Sequence, residues 1–578
     1  MSAGLLLVLL LAKAAMLGFH AATGWSLEAY VWQDVLVALA FLAFQTGLGK
    51  IGATPRIASA VYWPLVVYAA INIPVERALS TPLTWPMLRA ARGPLADSML
   101  IYVTATNTVL VLTALAMAAG LPPMMRRVPQ RWARVAAVCA IPLVLLGPIA
   151  RSRVDTLGLD RNAITALIGT ELPRVSANTT ANSWRESIYK TESAEDLSQF
   201  RGAASALNVV MVSLESTAAE YLSLYGAKDE VMPNLSMLAQ RALVFENAYA
   251  VYPESIKGLY SVLCSTFPAF DSQPERYENL DCRSVAAVLA DAGYRTALFH
   301  SGRFGYLGME SIIRNRGYQT LEDAGDIAGN HNSSFGVDEP ATVTRMLAWI
   351  DALPRGQHFF LTYLPIAGHH PYATPERGPF QGSEEIDQYR NALHFGDESL
   401  GVLINGLRAR GLERNTVWVI YGDHGEAFGQ HQGNYGHTFF LYDENIHVPF
   451  LIAAPGLTRG QKRVRKVVSL VDIAPTTLDL LSIQPPANYQ GRTLLDGAPR
   501  MALFFADYSL GLLGLRDGPW KLVYELGSGR ARLFDLERDP QERSDVAAHE
   551  AARAAWYGQV VRGWSSSQKS YIDRDAVR

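Results

Sequence analysis

Five apolar runs fill the first 150 residues, and they constrain the fold more than any other feature of the chain. They lie at residues 3–22, 30–48, 57–75, 99–120 and 133–150. Each run is close to the ~20 residues that a helix needs to cross the hydrocarbon core of a membrane. A cleaved signal peptide would account for the first run but not for the four that follow. Residues 1–150 are therefore predicted to form a five-helix transmembrane domain.

Basic residues in two short loops predict the orientation of these helices, because cytoplasmic loops are rich in lysine and arginine. Lys50 and Arg56 lie between the second and third runs. The loop between the fourth and fifth runs and its flanks carry Arg126, Arg127, Arg131 and Arg134. Both loops are predicted to be cytoplasmic, which places everything after Arg151 outside an inner or plasma membrane, for example in the periplasm. The loop at 76–98 has mixed charges and gives a weaker, contrary signal.

The charge of the chain excludes one class of partner. The formal net charge is −3, so there is no overall basic character of the kind that binds nucleic acid. Charged residues are scarce within the apolar runs of the first 150 residues, whereas residues 151–578 read as a soluble protein. We therefore expect a membrane anchor followed by a large extracytoplasmic part.

Two cysteines, Cys264 and Cys282, lie close together in the part predicted to be outside the cell. An oxidising compartment would allow them to form a disulfide. Two buried free thiols are the other interpretation, and the spacing does not choose between them.

From residue 206 onward, short apolar strands alternate with amphipathic helices. The segment NVVMVSLES at 208–216 is predicted to be a buried strand, and SVAAVLADAGYRTALFH at 284–300 a helix, a glycine turn and a strand. This alternation predicts an α/β fold with a mainly parallel sheet covered by helices on both faces. Ligands of such sheets bind beyond the carboxyl ends of the strands.

Acidic residues and histidines follow these predicted strands. Glu215 ends the strand in VSLES, while Asp423 and His424 end the strand in YGDHGE. Carboxylate oxygens and imidazole nitrogens are ligands of divalent cations. A helix cap or a surface turn would account for either motif alone. Their combination, on strands expected to lie side by side, predicts a metal site.

Histidines are concentrated in the same part of the chain. Of the 12 in the sequence, His300 ends the predicted strand TALFH, and six more lie at positions 369, 370, 424, 431, 437 and 447. Histidines with only structural roles would be scattered along the chain and would not be concentrated at the ends of strands. The distribution therefore supports the metal-site hypothesis.

Ser255 lies in VYPESIKGLYSVLCS, residues 251–265, where a predicted strand gives way to helical spacing. A helix N-terminus favours an anion, because its N–H groups are free and the helix dipole is positive there. The position suits a helix cap. It also suits a nucleophile that is activated by a metal and holds a phosphate. Position alone leaves both interpretations open.

Motifs at these places resemble those of the sulfatase-like branch of the alkaline phosphatase superfamily, over about residues 206–550. The chain looks most like the membrane-anchored lipoteichoic acid synthases and phosphoethanolamine transferases. The motifs occur in the family's order: VSLES, YPESIKGLYSVLCS, LFHSGRF, HHPY, YGDHGE, LYDENIHVPFLIAAPG, VDIAPTTLDLL, and LRDGPWKLVYE with LFDLERDPQERSDV. The resemblance implies a sulfatase-like catalytic domain at 206–500 and a small antiparallel C-terminal subdomain at 501–578, and the polar, mixed composition of residues 151–205 predicts a linker before them.

The resemblance also implies roles for single residues. The four metal ligands would be Glu215, Ser255, Asp423 and His424, and Ser255 would also be the nucleophile. His369 and His437 would be catalytic histidines near the substrate and the leaving group or acceptor. Residues that would contact the substrate are His300, Arg303 and His370, and Lys257 is a further candidate whose other interpretation is an exposed helix lysine.

One departure from the family pattern bears on the chemistry. Sulfatases carry proline or alanine, then arginine, after the residue that is converted to formylglycine. Here Lys257 and Leu259 occupy those positions, so Ser255 is expected to act unmodified. That favours phosphoester over sulfate-ester chemistry, whereas the sulfatase-like tail keeps sulfuric ester hydrolysis open.

We expect a phosphotransferase that moves the headgroup phosphate of a phospholipid, through a covalent Ser255 intermediate, to the hydroxyl of an extracytoplasmic glycan, lipid or polymer. A sulfatase or phosphodiesterase that transfers to water is the first alternative, and a non-catalytic membrane binding module is the second. The donor set predicts one divalent ion, Zn or Mn, with Mg or Ca as alternatives.

Overall fold

A computed structural model describes residues 1–17, 25–52, 54–91, 102–125, 127, 129–177, 183–185, 187, 195–329 and 336–575. Its N-terminal part is helical. The helices are α1 (Ser2–Leu17), α2 (Trp25–Lys50), α3 (Pro55–Leu79), α4 (Trp85–Ala90), α5 (Ala105–Met125), α6 (Gln130–Arg153) and α7 (Ala163–Glu171).

Helices form at all five predicted apolar runs. Four of them are long and apolar enough to cross a membrane: α2, α3, α5 and the Val135–Arg153 part of α6. Helix α1 is shorter, with 16 residues, so its crossing of the membrane stays a prediction. Leu5, Val8 and Leu9 of α1 pack with Val66 and Ile73 of α3 in one apolar core.

One end of this helical bundle contacts the rest of the protein. Lys13 of α1 donates hydrogen bonds to the carbonyl groups of Leu159 and Arg161, at 2.8 and 2.7 Å. Arg151, near the end of α6, pairs with Glu525 at 2.8 Å. The loop with Lys50 lies between the other ends of α2 and α3. Arg126 of the second basic loop lies outside the described residues. This arrangement puts the described basic loop away from the globular part, and the orientation in the cell stays a prediction.

The globular part contains an eight-stranded sheet with the order β10-β2-β9-β6-β1-β5-β3-β4. The strands are β1 (Asn208–Leu214), β2 (Ala242–Tyr249), β3 (Arg295–His300), β4 (Thr320–Glu322), β5 (Phe359–Leu364), β6 (Thr416–Gly422), β9 (His447–Ala453) and β10 (Lys462–Ser469), with a separate pair β7 (Ala427–Phe428) and β8 (Tyr435–Gly436). Strand β9 is antiparallel to both of its neighbours, and the other pairings are parallel. The predicted mainly parallel α/β sheet is confirmed.

Helices cover both faces of this sheet. They are α8 (Pro233–Ala239), α9 (Ser255–Cys264), α10 (Val285–Asp291), α11 (Met309–Ile313), α12 (Glu339–Asp351), α13 (Glu385–Ala409), α14 (Asp443–Ile446) and α15 (Ile473–Leu480). Every residue of β1, β5 and β6 is buried, as expected where both faces of a parallel sheet are covered. One apolar core lies on each face.

A second, antiparallel sheet follows at the C-terminus, as predicted. It contains β11 (Met501–Ala506), β12 (Leu512–Asp517), β13 (Trp520–Glu525) and β14 (Ala531–Asp535), in that order, and α16 (Ala551–Asp575) packs on it. Cys264 and Cys282 are joined in a disulfide, with Cα atoms 5.6 Å apart. The disulfide ties the last residue of α9 to the segment before α10.

Candidate active site

The predicted site residues other than Lys257 meet at one edge of the large sheet. Strands β6, β1, β5 and β3 are neighbours in that order. Asp423 and His424 follow β6, Glu215 follows β1, and His300 ends β3. Because the four strands are parallel, their carboxyl ends lie side by side.

Glu215, Asp423 and His424 form a buried cluster in which one ligand atom of each residue lies within 4.8 Å of the others. His424 Nε2 lies 3.5 Å from Glu215 Oε1 and 3.6 Å from Asp423 Oδ2. Nδ1 of His424 donates a hydrogen bond to the carbonyl of Gly425, at 2.9 Å. That bond leaves Nε2 directed at the two carboxylates.

Burial and charge act in opposite directions within this cluster. Burial, together with the charge of Glu215, raises the pKa of Asp423 to about 7. Burial alone would lower the pKa of His424, but the charges of Asp423 and Glu215 outweigh it and raise that pKa to about 10. The pKa of Glu215 is below its ordinary value, because the bond and charge of His424 outweigh burial. Strong shifts of this kind are typical of functional sites.

Ser255 is the first residue of α9, and its hydroxyl points at the cluster. Its Oγ donates a hydrogen bond to Glu215 Oε2 at 3.0 Å and lies 3.3 Å from His424 Nε2. The side chain that caps α9 belongs to Glu254, which accepts from the backbone N–H of Ile256 at 3.0 Å. The interpretation of Ser255 as the cap is therefore wrong, and its hydroxyl faces the site.

The cluster has the chemistry of a divalent cation site. Two carboxylates, one imidazole and one hydroxyl converge, which suits Zn, Mn or Mg. The bond from His424 Nδ1 to a backbone carbonyl is the usual way in which a ligating histidine is oriented. The predicted ligands are thus together, and the identity of the ion stays a prediction.

His437 and His369 lie beside this cluster. The ring of His437 is 4.1 Å from that of His424, centroid to centroid, and His369 is 6.4 Å from His437 by the same measure. His437 Nδ1 lies 2.7 Å from Oε2 of the buried Glu426. Glu426 was not predicted as a site residue. The motif YGDHGE contains it, and a second acidic residue shortly after Asp423 and His424 was the signal that could have indicated it.

The three other predicted substrate residues line the same cavity as Ser255. His300 Nδ1 donates to the carbonyl of Leu364 at 3.0 Å, and burial lowers the pKa of His300. Arg303 lines the cavity wall. His370 Nε2 lies 3.6 Å from Glu385 Oε1. Their contact with a substrate stays a prediction.

Lys257 does not face this cavity. It is 6% exposed, so the interpretation as an exposed helix lysine is wrong. Its Nζ pairs with Asp507 Oδ2 at 2.6 Å, and Tyr252 Oη donates to Asp507 Oδ1 at 2.5 Å. Lys257 lines a second, polar cavity behind α9 instead. The geometry gives it a structural partner rather than the predicted contact with the reacting anion.

The cavity at Ser255 has a volume of about 580 Å³ and two kinds of wall. One wall contains Ser255, Glu215 and the histidines. The other is apolar and comes from the membrane part of the chain. It consists of Ile71, Pro74, Val75, Ala78 and Leu79 of α3, followed by Leu83, Met87, Ala91 and Val103. A substrate in this cavity would contact the reactive groups and the membrane helices together.

The chain is similar to several known proteins. The sulfatase family model matches residues 207–483, and the model for the C-terminal region of N-sulphoglucosamine sulphohydrolase matches residues 431–557. Arylsulfatase K of Gallus gallus is 34% identical over 430 residues, which are 59% of this chain and 79% of that protein. Lipoteichoic acid synthase 2 of Bacillus subtilis is 24% identical over 368 residues, 58% of this chain and 56% of that protein. The matched segment covers only 31% of bovine arylsulfatase K.

Solved structures share the fold. An alkaline phosphatase superfamily protein from Vibrio parahaemolyticus superposes with a TM-score of 0.54 at 16% identity, covering 70% of this chain and 94% of that one. The lipoteichoic acid synthase LtaP from Listeria monocytogenes has a TM-score of 0.50 at 19% identity, covering 65% and 94%. The chain therefore belongs to the sulfatase family.

Proposed function

We propose that this protein is a membrane-anchored, metal-dependent phosphotransferase. It takes the phosphate-bearing headgroup of a phospholipid onto Ser255 and passes it to the hydroxyl of an extracytoplasmic glycan, lipid or polymer. The observation that carries the proposal is the shared cavity, in which Ser255 and an apolar wall from α3 face the same space. A lipid has both parts that such a cavity would bind.

The apolar wall favours a lipid over a soluble ester. Val75 and Leu79 of α3 lie at the end of a helix long enough to cross a membrane, so the wall continues into the bilayer. Contact with this wall removes acyl or glycerol carbons from water, at about 25 cal/mol per Å² of apolar surface. A sulfated sugar has no comparable apolar part.

The chemistry requires two displacements at phosphorus. In the first, Ser255 Oγ forms a bond to phosphorus and the bond to the diacylglycerol oxygen breaks, so that the headgroup phosphate is held on Ser255 as a diester. In the second, the acceptor hydroxyl forms a bond to phosphorus and the bond to Ser255 breaks, which restores the serine.

The side chains around Ser255 supply positioning and proton transfer. Glu215, Asp423, His424 and Ser255 would hold the divalent ion, which supplies positive charge that favours an ionised Ser255 and a negatively charged phosphoryl group. His437, held by Glu426, gives a proton to the leaving oxygen and later takes one from the acceptor hydroxyl. The N-terminus of α9 presents free N–H groups to the phosphate oxygens.

Sulfuric ester hydrolysis is the second candidate, and some of the similar proteins support it. Residues 431–557 match the C-terminal region of a sulphohydrolase, and arylsulfatase K is a relative. Against it, the residues after Ser255 differ from the formylglycine pattern: Lys257 is paired with Asp507 and Leu259 is buried. Mass spectrometry of the 251–265 peptide separates the two. Formylglycine at position 255 would support the sulfatase, and an unmodified or phosphorylated serine the transferase.

A panel of labelled phospholipids tests the transferase directly. The purified full-length protein should release diacylglycerol from one headgroup class, and Ser255→Ala should abolish the release while the protein still binds metal. Ser261→Ala is the matched control, because Ser261 lies in the same helix and donates only to the Gly258 carbonyl. Val75→Trp, which fills the apolar wall, should raise KM for the lipid. The proposal would be overturned if Ser255→Ala released diacylglycerol at the wild-type rate. It would also be overturned if the protein hydrolysed soluble sulfate esters and no phospholipid.

A further inference from the structure

We propose that a third cavity, between α2 and the C-terminal sheet, binds the phosphate group of an anionic membrane lipid. This cavity has a volume of about 460 Å³ and lies apart from Ser255. Its occupant is a lipid that stays bound and holds the globular part to the membrane. The proposal does not depend on the phosphotransferase activity.

Three arginines line this cavity, against one glutamate. They are Arg151, Arg161 and Arg174, and the acid is Glu525. Guanidinium groups are well suited to phosphate, because their planar N–H donors match its oxygens in pairs. Clustered arginines at the surface of a membrane are a common feature of sites for anionic lipid headgroups.

Arg161 is the cation available to an external anion. Arg151 pairs with Asp160 at 3.0 Å and with Glu525 at 2.8 Å, and Arg174 pairs with Asp271 at 2.5 Å. Arg161, in contrast, forms no ion pair with any residue of the described ranges. Its hydrogen bonds go to neutral groups.

The neutral partners hold Arg161 at the cavity rather than compensate its charge. Arg161 Nη2 donates to Thr81 Oγ1 at 2.7 Å and to Ser509 Oγ at 2.5 Å, and Nε donates to the Gly158 carbonyl at 3.3 Å. Burial lowers the pKa of Arg161 to about 10. The charges of Asp160 and Glu525 oppose this shift without reversing it, and a phosphate beside Arg161 would add negative charge at hydrogen-bond distance.

The remaining wall is apolar and belongs to a membrane helix. Trp32 and Leu36 lie one turn apart on α2, which is long and apolar enough to cross a membrane, and Leu510 and Leu526 complete the wall. Leu36 is 37% exposed, so this wall opens outward from the protein. Tryptophan is enriched at the level of lipid headgroups. The cavity thus has arginines at one side and a membrane helix at the other. This combination suits a phosphate group that carries an acyl chain better than it suits a free anion.

Binding to the purified full-length protein in detergent tests the proposal. All the proteins compared carry Val75→Trp, which weakens lipid binding in the cavity at Ser255 equally in each of them. The probes are short-chain phosphatidylglycerol, short-chain phosphatidylcholine and inorganic phosphate. We expect phosphatidylglycerol to bind at least tenfold more tightly than phosphatidylcholine, and inorganic phosphate to compete only weakly. Arg161→Gln should weaken phosphatidylglycerol binding at least tenfold, and Arg161→Lys should weaken it less.

Two further variants separate lipid binding from folding. Arg345→Gln removes an arginine that pairs with Glu322 elsewhere, and should leave binding unchanged. Leu36→Trp fills the apolar wall without changing an arginine, and it should also weaken phosphatidylglycerol binding. This variant tests the proposal even where the Arg161→Gln protein does not fold. Any one of three results would overturn the proposal. The two lipids could bind equally, Arg161→Gln and Leu36→Trp could both keep wild-type affinity, or inorganic phosphate could bind as tightly as the lipid.

Discussion

The carboxylate of Glu426 lies 2.7 Å from Nδ1 of His437, and both side chains are largely buried. The charge and hydrogen bond of His437 outweigh burial and keep the pKa of Glu426 below its ordinary value. Glu426 is therefore ionised at neutral pH and orients the ring through Nδ1. Nε2 is then the nitrogen available to exchange a proton with the substrate.

Glu426→Gln should lower kcat more than it changes KM, because the amide no longer orients and stabilises the protonated ring of His437. General acid–base catalysis contributes about 100-fold or more, so we expect a fall between tenfold and 100-fold. His437→Gln should cost at least as much, and the double variant little more than His437→Gln alone. If the double variant instead shows the full combined loss in kcat of the two single variants, Glu426 does not act through His437. The pH profile of kcat should also shift in Glu426→Gln, which a merely structural role would not produce.

The sequence predicted the sheet and the cluster of Glu215, Asp423 and His424 because both depend on local patterns. Buried parallel strands read as apolar runs, and Glu215, Asp423 and His424 follow such runs directly. The family's motif order then indicated Ser255 as the nucleophile. Each of these features can be read within a few residues of the chain.

The features that were missed depend on contacts between distant segments. Asp507, the partner of Lys257, lies 250 positions away, and no local pattern links the two. The cap of α9 could not be assigned either, since Glu254 and Ser255 are adjacent and both can accept from a backbone N–H. The apolar wall beside Ser255 comes from α3, and only the packing of the membrane helices on the sheet places it there.

Breaking the buried Lys257–Asp507 pair should destabilise the protein. Lys257→Met leaves the Asp507 carboxylate buried with Tyr252 and the backbone N–H of Asp271 as its remaining partners. Removing one member of a buried ion pair costs about 3 kcal/mol. The double variant Lys257→Met with Asp507→Leu should recover part of this loss. Denaturant unfolding of the four proteins measures the coupling, and equal, additive losses would contradict a direct interaction.

The orientation of the membrane part can be tested with reporter fusions. If the basic loops are cytoplasmic, alkaline phosphatase fused after Gly52 should be inactive, and the same reporter fused after Arg578 should be active. A cytoplasmic fluorescent reporter should give the reverse pattern. Activity of the phosphatase at Gly52 would contradict the predicted topology and would place the Ser255 cavity on the cytoplasmic side.

Metal binding should weaken as the pH falls, because the ligands must lose protons before they can bind. In the metal-free protein, Asp423 carries a proton below about pH 7, and His424 stays protonated up to about pH 10. Between pH 8.5 and pH 6, a metal therefore displaces one proton from His424, and at the lower end a second from Asp423. Each displaced proton weakens binding about tenfold per pH unit, so the affinity for Zn or Mn should fall at least 100-fold over this range.

Isothermal titration calorimetry in two buffers of different ionisation enthalpy measures both the affinity and the protons released. We expect at least one proton at pH 8.5, from His424, and a larger number at pH 6. In His424→Gln the release at pH 8.5 should disappear along with most of the affinity, whereas His431→Gln is the matched control, because His431 bonds to Glu444 away from the cluster. An affinity independent of pH would show that the ion is not held by His424 and Asp423. The proposed reaction requires the bound ion, so activity at subsaturating metal should follow the same curve.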